Sequence, residues 1–265
     1  MRILAFESSA KAASVALLTD GVLTAERYQN DAQTHSRTLM KMAKDLLDDC
    51  GLSPAELDYV AWANGPGSFT GIRIGAAAAK GLCWGAELPC LPVSTLEAMA
   101  WNAADLDGVI CCCMDARRSQ VYNALFRVER GQLVRLHPDR ALSLEELAAD
   151  LQGFSEPVYL VGDGAALTWG FLLDAVARAK TDGQALLVPM DADEQDTQTT
   201  ACNPYKLLSE HHRQQRASGV ALAAYAAAQN GVQADPGTVT PNYLRLSQAE
   251  RERLERDKAQ KGDQN

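Results

Sequence analysis

Histidine, aromatic residues and paired cysteine spacings are all scarce in this sequence of 265 residues, and each shortage removes a class of function. The seven cysteines, Cys50, Cys83, Cys90, Cys111, Cys112, Cys113 and Cys202, are odd in number and include no Cys-x-x-Cys pair. That fits neither a disulfide framework nor a zinc site, and the three in a row read as small strand residues. A metal held on a helix needs a His-x-x-x-His pair, because residues four apart leave the same face. Here "THSRTLM" supplies His35 but places Leu39 where the second ligand would stand, so His35 reads as a helix N-terminal residue at the surface. The remaining histidines, His137, His211 and His212, lack the spacing, and His211 and His212, being adjacent, are expected to point apart on a helix. No metal site is expected. No apolar run reaches membrane-spanning length and the opening carries no cleavage-type signal, so the expected location is the cytoplasm. Acidic residues outnumber basic ones by 34 to 25, a net charge of -9, with no visible aromatic-basic stripe. Such a chain repels phosphate backbones, and any nucleic-acid role is expected to be shared with a partner.

What is present is a repeated α/β rhythm. "RILAFES", "ASVALLTD" and "GVLTAERY" are short apolar runs joined in part by Asp20-Gly21, a tight hairpin turn, and read as a three-stranded meander. A helix follows Thr34, with Leu39, Met42, Leu46 and Cys50 at helical spacing and Gly51 as its stop. "LDYVAWANG" reads as a buried strand that delivers a glycine-rich loop and then a helix from about Gly71 to Trp84. A second meander, "GVICCCMDA", "SQVYNALFRVERG" and "QLVRLHPDRA", precedes a helix near Ser143, the strand "PVYLVG", the turn "GDGA" and a helix over residues 166 to 180. Two units that each open with a meander and then alternate strands and helices suggest an α/β duplication. The expected division is a first lobe over 1–100, with a helix and strand over 217–246 packing on or near it, and a second lobe over 101–189. Residues 190–216 read as a polar insertion, and 247–265 as a charged tail.

The stretch "NGPGSFTGIRIG", residues 64 to 75, first suggests a phosphate-holding loop. It lacks the Gly-Lys-Ser/Thr ending of a P-loop and has Ile72 and Arg73 where the lysine and hydroxyl would serve, so the phosphate reading is the weaker one. The loop does give a tight turn into a helix whose Gly75, Ala76 and Ala79 allow another helix to approach closely. Packing of this helix and the preceding one on their own sheet explains part of that pattern; pairing with the same two helices of a related chain is the other use.

In order along the chain, "ILAFESSAKAASVAL", "GPGSFTGIRIG", "AKGL", "PVSTLEA", "DARRSQVY", "GDGA" and "PNYLR" together resemble the TsaB family of bacterial tRNA threonylcarbamoyladenosine biosynthesis proteins. The resemblance implies two ribonuclease-H-like lobes of the actin and sugar-kinase superfamily, each a mixed sheet with flanking helices. It also implies a non-catalytic subunit beside the catalytic paralogue TsaD and the ATPase TsaE, with no cofactor of its own and ATP used by the partner complex. That assembly places an N6-threonylcarbamoyl group on the adenosine beside the anticodon of tRNAs reading codons that begin with A. The expected TsaD interface is Leu39, Met42, Ala43 and Leu46 on one helix with Ile72, Gly75, Ala76 and Ala79 on the other, and a homodimer would compete for it. Two departures stand out: Glu7 occupies the position of the usual first-strand Asp, and residues 190–216 look inserted.

A degenerate nucleotide cleft is the remaining candidate site, made of Glu7, Ser8, Ser9, Lys11, Asp115, Gly162 and Gly164. Asp115 either meets phosphate or bound water, as at that position in actin-like ATPases, or pairs with Arg117 or Arg118 to shape a hairpin. "GDGA" either receives adenosine or is an ordinary strand-to-helix turn. The alternatives to a scaffold are an independent actin-fold kinase for a small molecule, which needs complete phosphate loops, and a metallopeptidase-like hydrolase, which needs the missing histidine pair.

Overall fold

The structure, a computed structural model, describes residues 1–31, 34–181 and 205–245, and of these the side chains of 176–181 are left aside. The first unit runs β1 (Arg2–Glu7), β2 (Ala13–Thr19), β3 (Val22–Gln29), α1 (His35–Asp49), β4 (Tyr59–Ala63), α2 (Phe69–Ala86) and β5 (Cys90–Val93). Asp20 and Gly21 between β2 and β3 hold φ of 51° and 82°, the left-handed pair that a two-residue hairpin turn requires. After α3 (Thr95–Trp101) come β6 (Gly108–Asp115), β7 (Gln120–Glu129), β8 (Gln132–Arg135), β9 (Arg140–Ser143), α4 (Leu144–Leu151), β10 (Val158–Val161) and α5 (Ala165–Thr181). The described chain then adds β11 (Tyr205–Leu207), α6 (Glu210–Arg213) and α7 (Ala217–Gln229).

The two sheets repeat one topology. The first has the order β3-β2-β1-β4-β5 and the second β8-β7-β6-β10-β11, with β9 also pairing to β7. In each, the first strand is antiparallel to its hairpin partner and parallel to the strand that returns after a helix. This is the ribonuclease-H-like arrangement, present twice as in the actin-like fold expected from the sequence. Strands buried on both faces explain the continuous apolar runs, including Cys111, Cys112 and Cys113 in β6, all fully buried.

Helices α1 and α2 cover one face of the first sheet, where Leu39, Leu46 and Ala79 meet Phe6, Leu17 and Trp62. The other face is covered by α7, through Val220 and Ala224 against Ile3, Leu18 and Leu91. On the second sheet, Leu147 and Leu151 of α4 join Cys111, Leu125 and Leu160, while Leu96 and Met99 of α3 cover Ile110 and Phe126 on the opposite face. Helices α3 and α7 touch between the sheets, so closely that a Cβ at Gly219 would lie 2.2 Å from the Ala98 carbonyl oxygen.

Four local features differ from the sequence expectation. Residues 95–101, at the end of the span expected for the first lobe, form α3, which packs on the second sheet as well, because its opposite faces are both apolar. The run "QLVRLHPDRA" divides into β8 and β9 around Pro138, which has no N–H for a ladder. Residues 205–207, counted within the polar insertion, form the edge strand β11 beside β10; 190–204 and the tail from 246 lie outside the described residues. No strand forms over the described residues 230–245; Ala234 makes a single bridge to Cys90, and further along Asn242 N–H donates to the Asn64 carbonyl at 2.8 Å.

Candidate functional site

A cavity of about 570 Å³ opens between the two sheets. The first unit contributes Ser9, Ala10 and Lys11 from the β1–β2 loop and Pro66 to Phe69 from the glycine-rich loop; the second contributes Met114 to Arg117, Tyr122 and Asp163. Asn242, Tyr243, Leu244 and Arg245 complete the wall.

Ser68 and Gly71 of the glycine-rich loop are hydrogen-bonded within the chain. Ser68 N–H donates to the Ser9 carbonyl at 2.7 Å, and the Ser68 hydroxyl caps α2 by accepting from Gly71 N–H at 3.2 Å. The Ser8 hydroxyl donates to the Gly71 carbonyl at 2.9 Å. Gly67 has φ of 152°, and a Cβ there would lie 2.5 Å from the Ser9 carbonyl oxygen. These contacts make the loop a joint against the β1–β2 loop.

Of the expected cleft residues, Ser9, Lys11 and Asp115 line the cavity, whereas Glu7 and Ser8 lie buried beneath it. Glu7 Oε1 accepts from Ser9 N–H at 2.6 Å, while Glu7 Oε2 and the Ser9 hydroxyl have no hydrogen-bond partner among the described residues. Burial pushes the Glu7 carboxyl up to about 7 from an ordinary 4.5, against the lowering effect of neighbouring Ser9. Gly162 and Gly164 do not line the cavity; they bring the β10–α5 turn against β6, where a Cβ at Gly164 would lie 2.8 Å from Asp115 N. Asp163 between them does line it, a position the sequence pattern contained without marking. Its Oδ1 accepts from Gln215 Nε2 at 2.8 Å, and loss of water, with the charge of Asp115 in support, raises its pKa. The signal available for Asp163 was its place between two glycines that both approach backbone.

Asp115 accepts from Arg117 N–H at 2.7 Å and pairs with its guanidinium at 3.4 Å, which is the hairpin-shaping role. Arg117, Arg118 and Ser119 follow with φ of 65°, 57° and 55°, three consecutive left-handed residues that are not glycine. Such a conformation costs roughly 1–2 kcal/mol per residue. His35 is half-buried rather than at the surface, with Nε2 at 2.9 Å from the Ala10 carbonyl, and burial lowers its pKa. His211 and His212 do not point apart: on the single turn of α6 their ring centroids are 4.0 Å apart. Among the described residues no cluster of His, Cys, Asp and Glu is arranged to hold a metal ion.

The helix residues expected to meet a partner face inward. Leu39, Met42, Ala43, Leu46, Ile72, Gly75, Ala76 and Ala79 are all buried within the first unit, so packing on their own sheet accounts for them. The outward face of α2 instead carries Arg73, Ala77, Gly81, Trp84 and Gly85, a stripe at helical spacing. Trp84 is 62% exposed and Met40 on neighbouring α1 is 45% exposed. A Cβ added at Gly81 or Gly85 would meet nothing within 4 Å.

Comparison with known proteins agrees with this architecture. A family model described as TsaD, tRNA N6-adenosine threonylcarbamoyltransferase, matches residues 24–252. The tRNA threonylcarbamoyladenosine biosynthesis protein TsaB of Escherichia coli is 36% identical over 190 residues, covering 71% of this chain and 81% of that protein. The TsaB protein of Bacillus subtilis is 36% identical over 167 residues, covering 63% and 73%. The solved structure of YeaZ from Pseudomonas aeruginosa superposes with a TM-score of 0.70 at 25% identity, over 92% of this chain and 99% of that one. The chain therefore belongs to the family that the TsaD model describes and, within it, to the TsaB proteins of tRNA threonylcarbamoyladenosine biosynthesis.

Proposed function

We propose that this chain is a non-catalytic scaffold that docks a catalytic TsaD paralogue through the outward faces of α1 and α2, in the assembly that installs N6-threonylcarbamoyl on tRNA. The observation that carries the reading is the outer stripe of α2, where an exposed tryptophan stands beside small residues with open space above them. A large aromatic flanked by positions that let another helix approach has the composition of an interface centre. On α1, Leu39 belongs to the core and His35 is engaged with the Ala10 carbonyl, which supports assigning the chemistry to the partner. TsaE and ATP act in that assembly, and tRNA reaches this chain through its partners in the cytoplasm. A second copy of this chain is a competitor for the same helix face.

Co-purification and titration against TsaD test the proposal. Trp84→Ala is expected to weaken association about 30-fold, on the order of 2 kcal/mol for a central aromatic, with the isolated chain folded as before. Unchanged affinity places the contact elsewhere. The chain alone is expected not to turn over ATP with magnesium, and turnover near one per second, on the order of slow ordinary enzymes, overturns the scaffold role.

A further inference from the structure

We propose that "PNYLR", residues 241–245, is a latch that holds the interlobe cleft closed by docking Arg245 onto the "DARRS" hairpin, residues 115–119, of the second sheet. The approach to the cleft is anchored on the first unit. Lys80 Nζ donates to the Val239 carbonyl, Asn64 Nδ2 donates to the Thr240 carbonyl at 3.0 Å, and Asn242 N–H donates to the Asn64 carbonyl at 2.8 Å. Tyr243 then locks onto α2: its hydroxyl accepts from Arg73 Nε at 2.9 Å, and its ring lies 4.6 Å from that of Phe69. Arg73 in turn stacks 3.9 Å over Phe69. Gly65 permits this approach, since a Cβ there would lie 2.3 Å from the Asn242 carbonyl oxygen.

Only the end of the run crosses the cleft. Arg245 Nη1 donates to the Ala116 carbonyl at 2.9 Å and its guanidinium lies 5.8 Å from the Tyr122 ring centre. The receiving hairpin is built to hold that carbonyl in place: Ala116 N–H donates to the Gln120 carbonyl at 3.0 Å, Asp115 holds Arg117 N–H, and the three left-handed residues turn the chain tightly behind it. A non-glycine left-handed run persists only where its surroundings over-determine it. The anchoring is therefore unequal, with four residues of the first unit holding the run and one guanidinium reaching the second. Separation starts at the weaker end, at Arg245. The α3–α7 seam, by contrast, is closed by backbone approach at Gly219. Two sequence motifs left over by the docking function thus meet each other, and their contact forms part of the wall of the 570 Å³ cavity.

Hydrogen exchange on the full chain tests the latch, comparing wild type with R245A, R245K, Y243A and the double variant Y243A/R245A. R245A is expected to accelerate exchange about tenfold or more at residues 116–120 and 9–11, the scale of one lost charge-assisted hydrogen bond. R245K is expected to restore part of the protection. Y243A is expected to reproduce the pattern from the other end, and the double variant to add little, because either change opens the same latch. Acceleration confined to residues 243–245, or fully additive single effects, overturns the proposal. Should R245A lose protection throughout the chain, R245K against wild type decides by the same two segments: faster exchange there with α1 and β4 unchanged supports the latch, and no change refutes it.

Discussion

Helix α2 carries two stripes of small residues, Gly71, Gly75, Ala76 and Ala79 on the side facing its sheet and Ala77, Gly81 and Gly85 on the side facing away. On the inner side there is no room to spare: a Cβ would lie 2.0 Å from the Ser8 carbonyl oxygen at Gly71 and 2.6 Å from the Ser8 hydroxyl at Gly75. On the outer side a Cβ meets nothing within 4 Å at Gly81 or Gly85. The same residue types therefore answer different needs. Inside, they let the β1–β2 loop press against the helix and shape the cleft; outside, they leave a low surface beside Trp84 that none of the described residues fills.

Substitution on the inner stripe should be the more damaging. Gly75→Leu forces a side chain into the Ser8 contact and is expected to cost about 3 kcal/mol of stability. For a chain of this size that is a fall on the order of 10 °C in Tm. Thermal unfolding of the isolated chain reads it directly, and an unchanged Tm would mean that the inner stripe is not packed as described.

Glu7 sharpens the contrast, because it lies buried under the loop that the inner stripe supports. Its carboxyl is raised to about 7 from 4.5, so between those values the folded protein holds a proton that the unfolded chain has released. Stability from this group is complete below about pH 4.5 and is lost as pH rises through 7, a loss of roughly 3 kcal/mol. Glu7→Gln cannot ionise and should gain stability relative to wild type across that window, with the difference level above it. Denaturant melts of both proteins between pH 4 and 8 measure this; a constant difference would show that Glu7 titrates normally.

The comparison of the two stripes also shows what could be read from sequence. The first two strands of each meander, β4, β10 and the approximate extents of α1 and α2 followed from apolar runs, Asp20-Gly21 and the small-residue helix, because these are local patterns with a fixed period, whereas β5 and β11 did not. Which stripe of α2 faced inward was not legible: Gly75 and Ala79 differ from Ala77 and Gly81 by nothing in composition, and only Ser8 beside Gly75 and the sheet core against Ala79 separate them. The cleft was partly legible. Pairing of Asp115 with a nearby arginine was one of two uses the sequence offered, whereas Asp163, Gln215 and the crossing made by Arg245 depend on contacts between residues far apart in sequence, for which no local pattern exists. Pro138 dividing one expected strand and the two apolar faces of α3 were visible features whose consequences depended on the second sheet.

The outer stripe gives the most direct test of the docking account. Gly81→Leu adds a large side chain where this chain has open space, so the isolated protein should keep its Tm to within about 2 °C, since neither a clash nor a left-handed φ is involved. The same variant titrated against TsaD should bind about tenfold to 100-fold more weakly, the scale of 1–3 kcal/mol for methylenes forced into a close helix contact. Wild-type affinity with an unchanged Tm would contradict the account and leave the outer face of α2 without a partner.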